Sequence, residues 1–393
     1  MSSSLPLSGV RVLDLSRLLP GPFATLVLAD LGADVVKVED PGGGDYLRWM
    51  PPLAGAQSGW FHALNRNKRS LALDLAAEGG AAALLELART FDVVVESFRP
   101  GVLDRLGCGW EALRAANPRV ILCSITGYGQ TGPYRDLAGH DLDYCAVAGV
   151  LARNGPAEGP LPLGVPVADL AGGAWPAVAG VLAALVRRAA TGEGARVDVS
   201  MTEGALALLA LAHGGAAAGE PLGRGQGSLD GRRANYGVYR TADGRFVALA
   251  ALEPRFFERF CAAVGRPELA AAQIEGEGLR AELEAIFAGR TRAEWAAFGR
   301  AHDVCLAPVL EPAEAREDPQ LVARGAFVEV ETPWEGRALP GVATPVRLEG
   351  AVPPLRPAPR LGEGGDEVLR EAGFTPDQVE RLRASGALAP GSA

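Results

Sequence analysis

The sequence predicts an α/β protein in which a large domain with a parallel, doubly wound sheet is followed by a smaller α+β domain. Three observations carry that expectation. Residues 10–40 read as strand, turn, helix, glycine cap and strand; strand and helix patterns recur as far as residue 125; and beyond a Gly- and charge-rich stretch at 220–233 the pattern changes to a hairpin followed by helices.

The first strand is VRVLDL (10–15), an apolar run rich in β-branched residues, broken by Pro20-Gly21-Pro22. Phe23 to Leu31 is apolar and periodic and stops at Gly32, as a helix does. ADVVKV (33–38) is a second strand, closed by Glu39 and Asp40. A strand–helix–strand unit of this kind crosses over right-handed onto a parallel neighbour. DVVVE (92–96), a helical segment around Trp110 to Ala116 and VILCSI (120–125) repeat the pattern. From Ala171 to about Gly219 the chain is poor in charge and helix-like, with small residues suited to close helix packing or a subunit interface. In VYRTADGRFVALAALEP two apolar runs flank Ala242-Asp243-Gly244, a hairpin signal, and RFFERFCAAVG, LRAELEAIFAGR and RAEWAAFGRAH follow as helices. The expected organisation is a large domain over 1–219, a linker at 220–233 and a small α+β domain over 234–325. A C-terminal segment, 326–393, dense in Pro and Gly from Pro333 onward, returns to the large domain.

Composition narrows the function. A chain of 393 residues, 48% of them hydrophobic, can bury enough surface to offset its ordering entropy, which excludes disorder. With 38 Lys+Arg against 47 Asp+Glu the net charge is −9, which argues against a nucleic-acid partner. Lys37 and Lys68 are the only lysines. The cysteines (Cys108, Cys123, Cys145, Cys261, Cys305) are odd in number, with no C-x-x-C pair, so neither a disulfide framework nor a metal site is expected, and the compartment reads as reducing. No basic residue precedes Arg11 and no long apolar core follows, so no secretory signal is read. LAGGAWPAVAGVLAALV (170–186) approaches a membrane-spanning length. Gly172, Gly173, Pro176 and the preceding Asp169 instead favour a helix buried inside a globular protein, and the expected location is the cytoplasm, away from membranes.

An acidic residue closing the second strand suggests a dinucleotide site, but the G-x-G-x-x-G turn is replaced by S-R-L-L-P-G-P, so no NAD or FAD is expected. That loop either offers helix N-terminal amides to a phosphate or thioester or is a simple structural turn. Of the four histidines, His62 sits among aromatic and basic groups (WFHALNRNKRS), in a ligand contact or a surface loop. His213 lies at the end of an alanine-rich helix, and His302 closes a charged helix. His140 stands apart, in the glycine-rich aromatic loop TGYGQTGPYRDLAGHDLDY just after a strand, where open α/β sheets place their ligands; it is either a site residue or a structural histidine of that loop. Asp169, before a Gly-Gly helix start, is either a helix cap or a base or nucleophile. Glu253 is a lone carboxylate closing an apolar strand.

These segments, with PGPFATLVLADLGADVVKVEDP, LNRNKRSLALDL, VVVESFRPGVLDRLG, ADLAGG and DVCLAPVL, resemble the family III CoA-transferase superfamily from residue 7 to about 310. Within it the chain most resembles the α-methylacyl-CoA racemase branch. The resemblance implies an interlocked homodimer, each chain with a Rossmann-like large domain and a small domain, and a site between the large domain of one subunit and the small domain of the other. It implies an acyl-CoA substrate, no tightly bound cofactor, and CoA contacts at Lys37, Arg99, Asn65, Arg66 and Lys68, whose cations suit phosphates. In the racemase branch His140 and Asp169 are the two bases that invert the α-carbon of a 2-methylacyl-CoA through an enolate. Glu253 orients His140, and amides at the Asp169 helix start hold the enolate oxygen. In the alternative, a CoA transferase, Asp169 attacks the thioester and passes through an aspartyl-CoA thioester. The presence of His140 and Glu253 favours the racemase. The long DPGGGDYLRWMPPLAGAQSGWFHALNRNKRS path, the L-G-V-P-V-A-D lead-in and Arg232-Arg233 after Gly231 depart from the racemase pattern; those arginines either recognise a substrate carboxylate or are solvated.

Overall fold

The computed structural model describes residues 5–156, 158–271 and 277–389, so the first four residues of the stretch read for a leader lie outside the described residues. The chain folds into two compact units. Met1–Ala148, Leu163–Leu208 and Ala323–Ala393 form the first, and Gly149–Pro162 with Leu209–Val322 form the second.

The first unit is built on six parallel strands: β1 (Arg11–Asp14), β2 (Asp34–Glu39), β3 (Arg69–Ala72), β4 (Val93–Glu96), β5 (Ile121–Thr126) and β6 (Ala195–Ser200). Their order is β3-β2-β1-β4-β5-β6. Val12 of β1 lies between Val35 of β2 and Val93 of β4, all three buried, as strands covered on both faces require. The direction of winding reverses between β1 and β4, and ligands of open α/β sheets bind beyond the strand ends at such a point. Helix α1 (Pro20–Asp30) starts on two prolines, whose fixed φ suits a first turn, and ends before Gly32. Gly32 has φ +104°, and a Cβ there would lie 2.4 Å from the Leu5 side chain.

Four short helices follow: α2 (Gly59–Asn65), capped by Ser58, then α3 (Gly80–Ala88), α4 (Val102–Arg105) and α5 (Trp110–Ala116). Leu84, Leu87 and Leu113 join Leu122, Val368, Leu369 and Leu382 in the largest apolar core described. Helix α6 (Asp141–Val147) leaves the long loop after β5.

The stretch from Ala171 to Gly219, expected to be helical, is interrupted by β6. ARVDVS alternates, with Val197 and Val199 turned one way and the exposed Arg196 and Asp198 the other, and the strand pairs with β5 along its full length. The apolar segment before it is continuous helix from Ala168 to Thr191, long and apolar enough to cross a membrane, yet only 39% buried. As expected of a helix within a globular fold, it packs on β5, β6 and α1 by one face, while the other exposes residues such as Val186.

In the second unit β7 (Tyr236–Arg240), β8 (Phe246–Ala250) and β9 (Leu306–Pro308) form an antiparallel sheet, with the expected hairpin at 242–244. Helices Pro254–Ala263, Glu277–Phe287 and Arg292–His302 cover it around Phe260, Phe287 and Trp295, and Tyr239 stacks on Phe287 at 4.8 Å. Segments 149–162 and 209–233 belong to this unit, tied by the Arg153–Asp230 ion pair. Back in the first unit, β10 (Phe327–Thr332) and β11 (Arg337–Val342) form a hairpin. The remaining chain then follows the edge of β3, with Ser70 N–H donating to Glu363 O at 3.0 Å and Asp74 N–H to Ala387 O at 2.8 Å.

Candidate active site

A buried charge network gathers at the end of β1. Asp14 accepts hydrogen bonds from Ser16 N–H (3.0 Å) and the Thr25 hydroxyl (2.6 Å) and pairs with Lys68 at 3.1 Å. Lys37 pairs with Asp45 at 3.0 Å and donates to Ser16 O at 2.9 Å. Burial works to raise the Asp14 carboxyl, but Lys68, Lys37 and the hydroxyls of Ser16 and Thr25, both of which donate to it, prevail and bring it to about 2. Burial lowers the Lys68 ammonium to about 8 against the pull of Asp14. Asn65 Oδ1 accepts from Lys68 at 2.8 Å, and Arg66 pairs with Asp30. Lys37, Asn65, Arg66 and Lys68, read from the resemblance as CoA contacts, are thus all buried and hold the first strand–helix–strand unit together. None of them lines the cleft above it.

That cleft, about 670 Å³, opens beyond β1, β4 and β5. Arg17 and Leu18 reach it from the loop after β1, Phe98 and Arg99 from the loop after β4, and Tyr128, Arg135 and His140 from the loop after β5; Asp169 completes the wall. An adjoining cavity of about 290 Å³ lies beyond β2 and β3, lined by Leu15, Leu73, Leu75, Asp40 and Asp74, with Arg17 and Phe98 lining both. Together the two make an elongated site: the smaller lobe is mainly apolar and carries Asp40 and Asp74, and the larger carries Arg99, Arg135, His140 and Asp169.

His140 occupies the N-cap position of α6; its N–H donates to Asp143 Oδ2 at 2.9 Å and its side chain is exposed to the cleft. Tyr144, one turn on, is held edge-on to Tyr128 at 5.2 Å and donates its hydroxyl to Gly139 O. Gly127 and Gly139 admit that ring: a Cβ on either would fall 2.3 Å and 2.7 Å from it. Burial first, then the charge of Asp169, pushes the Tyr144 phenol up to about 12.

Asp169 is not a helix cap. It sits second in a π-helical segment, Ala168–Ala174, a geometry that recurs at functional sites. The segment lies against the Met201–Ala207 helix: a Cβ on Gly172 would be 2.7 Å from Ala205 N and Met201 O, and one on Gly204 only 1.8 Å from Gly172 O. Burial, then the charge of Asp141, pushes the Asp169 carboxyl from 3.8 up to about 7. The Asp169 N–H donates to Asp141 Oδ1 at 2.9 Å and the Leu170 N–H to Pro166 O at 3.1 Å. The amides expected to hold an enolate oxygen are therefore already engaged. The amides expected at the start of α1 are also few, because Pro20 and Pro22 have no N–H.

A model of the CoA-transferase family III matches residues 7–365. The chain belongs to that family. It is 36% identical over 390 residues to alpha-methylacyl-CoA racemase of Homo sapiens, covering 96% of each chain. It is 37% identical over 387 residues to succinate–glutarate CoA-transferase of Agrobacterium fabrum, covering 93% of this chain and 95% of that one. Among solved structures it is similar to a CAIB/BAIF family protein from Brucella suis, with a TM-score of 0.82, 33% identity and coverage of 94% of this chain and all of the other. Family III thus includes both a racemase and a transferase among this chain's relatives, and both are enzymes acting on CoA thioesters.

The sequence places His140, Asp169 and Arg99 in the family's motifs, and the structure brings these three into one cleft. Glu253 lies in the second unit, exposed at the N-cap position of the Pro254–Ala263 helix. Arg232 and Arg233 belong to that unit too and are half-buried rather than freely solvated. His62 is not in a surface loop: it is buried within α2, with Nε2 3.6 Å from Glu335. Arg17 and Arg135 went unnoticed in the sequence, and Asp141, next to His140 in the same motif, was given no role. All three lie inside the quoted motifs, beside a proline or glycine turn at a strand's carboxyl end, and that position is the signal that could have found them.

Proposed function

We propose that the protein is an acyl-CoA racemase that inverts the α-carbon of 2-methylacyl-CoA thioesters. The observation that carries this reading is the Asp169 carboxyl, lining one cleft with His140 and held up to about 7 by its surroundings. Inversion by two bases needs one group that accepts a proton and one that holds a proton ready, and a carboxyl balanced near neutral pH that shares a cleft with an imidazole can meet both needs. In one direction neutral His140 removes the α-proton and the carbanion's charge passes to the thioester oxygen. Protonated Asp169 then delivers its proton to the opposite face of the carbon, leaving a carboxylate and an imidazolium. The reverse direction exchanges the roles. CoA enters as part of the substrate, and the mechanism calls for no tightly bound cofactor. The two-lobed cleft suits a long ligand of this kind, its phosphates near Arg17, Arg99 and Arg135 and the acyl end beside Asp169.

A specific observation favours the second reading, a CoA transferase in which Asp169 is the nucleophile. The same three arginines make the mouth of the cleft receptive to a carboxylate co-substrate, and transferases stand among the relatives. A nucleophilic carboxylate works ionised, however, and burial opposes that state here.

Incubation of the enzyme with (2R)-2-methylacyl-CoA in deuterated water separates the two. The racemase takes up α-deuterium and loses optical purity, and His140→Ala loses exchange by a factor on the order of 10²–10⁴. No exchange with several methyl-branched substrates, together with an Asp169 adduct trapped by hydroxylamine, assigns the transferase instead.

A further inference from the structure

We propose that Asp141 is a positioning residue for Asp169, its side chain fixing the first turn of the reactive segment by accepting the Asp169 N–H and setting the charge beside its carboxyl. The inference rests on Asp169 being the reacting group, in either reading above. Two elements distant in sequence meet at this contact: Asp141 opens α6, and Asp169 lies 28 residues later in the π-helical segment. Asp141 Oδ1 accepts the Asp169 N–H at 2.9 Å, while Oδ2 is 3.8 Å from the Cys145 Sγ one turn along α6. Both oxygens therefore have a protein partner, so the carboxylate is held in place rather than free to rotate toward solvent. A π-helical turn leaves backbone groups out of the ordinary i to i−4 ladder, and a side-chain acceptor at its start stabilises that register.

The same contact places a negative charge next to Asp169, and a like charge nearby disfavours a second ionisation. From α6 the neighbouring titratable groups are Asp141, Asp143, Tyr144 and Cys145, and the cleft adds Arg99, Arg135 and His140. The other elements packed on the segment bring Asp30 (α1), Cys123 (β5), Arg187 and Arg188 (the Trp175–Thr191 helix), Arg196 and Asp198 (β6) and Glu203 (the Met201–Ala207 helix). Asp141 is the charge that bears on the Asp169 carboxyl.

The test compares Asp141→Asn, which keeps an acceptor for the Asp169 N–H and removes the charge, with Asp141→Ala, which removes both. The Asp169 titration is followed by 13C NMR of aspartate-labelled protein, assigned with Asp169→Asn, alongside the pH profile of turnover. In Asp141→Asn the Asp169 midpoint and the acid limb of the profile are expected to move down together by about one pH unit. Asp141→Ala is expected to lose turnover as well, through kcat rather than KM. A midpoint unmoved in Asp141→Asn overturns the proposal. The NMR titration needs no substrate, so absence of either family activity defeats the functional reading without deciding this one. Should Asp141→Asn fail to fold, the wild-type Asp169 amide resonance carries the test: its proton shift must follow the titration of Asp141, and an indifferent amide overturns the proposal.

Discussion

At the level of single residues, Asp169 sets activity against stability. Its carboxyl is held up to about 7 in the folded chain and returns to an ordinary value when the chain unfolds. Between about pH 4 and pH 7 the unfolded state is ionised and the folded state is not, so unfolding releases a proton and stability falls as pH rises through that window. Above pH 7 the cost is fully present. Asp169→Asn is therefore expected to abolish turnover yet raise stability at pH 8 by on the order of 2 kcal/mol, allowing for solvent screening of a half-buried group. The gain should vanish near pH 4, and denaturant titrations of both proteins across that range check it. The sequence pointed to His140, Asp169 and Arg99, where chemistry and loop position coincide, and all three line one cleft. The resemblance also pointed to Lys37, Asn65, Arg66 and Lys68, which the structure buries among ion pairs and hydrogen bonds; a polar group near a strand end reads the same in sequence whether it faces a phosphate or a buried aspartate.

Among the elements, the π-helical segment depends on bare backbone. Gly172 and Gly204 bring it against the Met201–Ala207 helix so closely that any side chain at 204 meets main-chain atoms with nowhere to move. Gly204→Ala is expected to destabilise the protein by about 1–3 kcal/mol and to lower turnover more than tightly packed substitutions elsewhere, because the displaced segment carries Asp169. Thermal melts and steady-state rates measure the two effects, and an active, fully stable variant contradicts the packing argument. The repeated strand and helix elements were legible because buried parallel strands are short unbroken apolar runs. β6 was not, since an edge strand hides only one face and its alternation of Val197 and Val199 with charged neighbours drowned among alanine-rich helices. The π turn had no sequence signal beyond the Gly pair.

For the whole molecule, the parallel sheet and the separate α+β unit followed from the order of patterns along the chain, whereas the return of 149–162 to the second unit had no local signal. The buried network at the end of β1 leads to a different property. Thioesters acylate unprotonated amines, so a protein that works on them is exposed to its own substrates. Every basic side chain here other than the histidines is an arginine, except Lys37 and Lys68, and both of those ammonium groups are fully buried. Lys68, at about 8, would be the more reactive amine if it were reachable. The folded protein is expected to acquire no acyl group on either lysine during prolonged incubation with acyl-CoA, and to become acylated at both after denaturation, as intact-mass and peptide spectrometry would show. Modification of Lys68 in the native protein contradicts its burial. The folded chain thus offers no lysine to the acyl group it handles, and is protected from self-acylation by the same ion pairs that close its core.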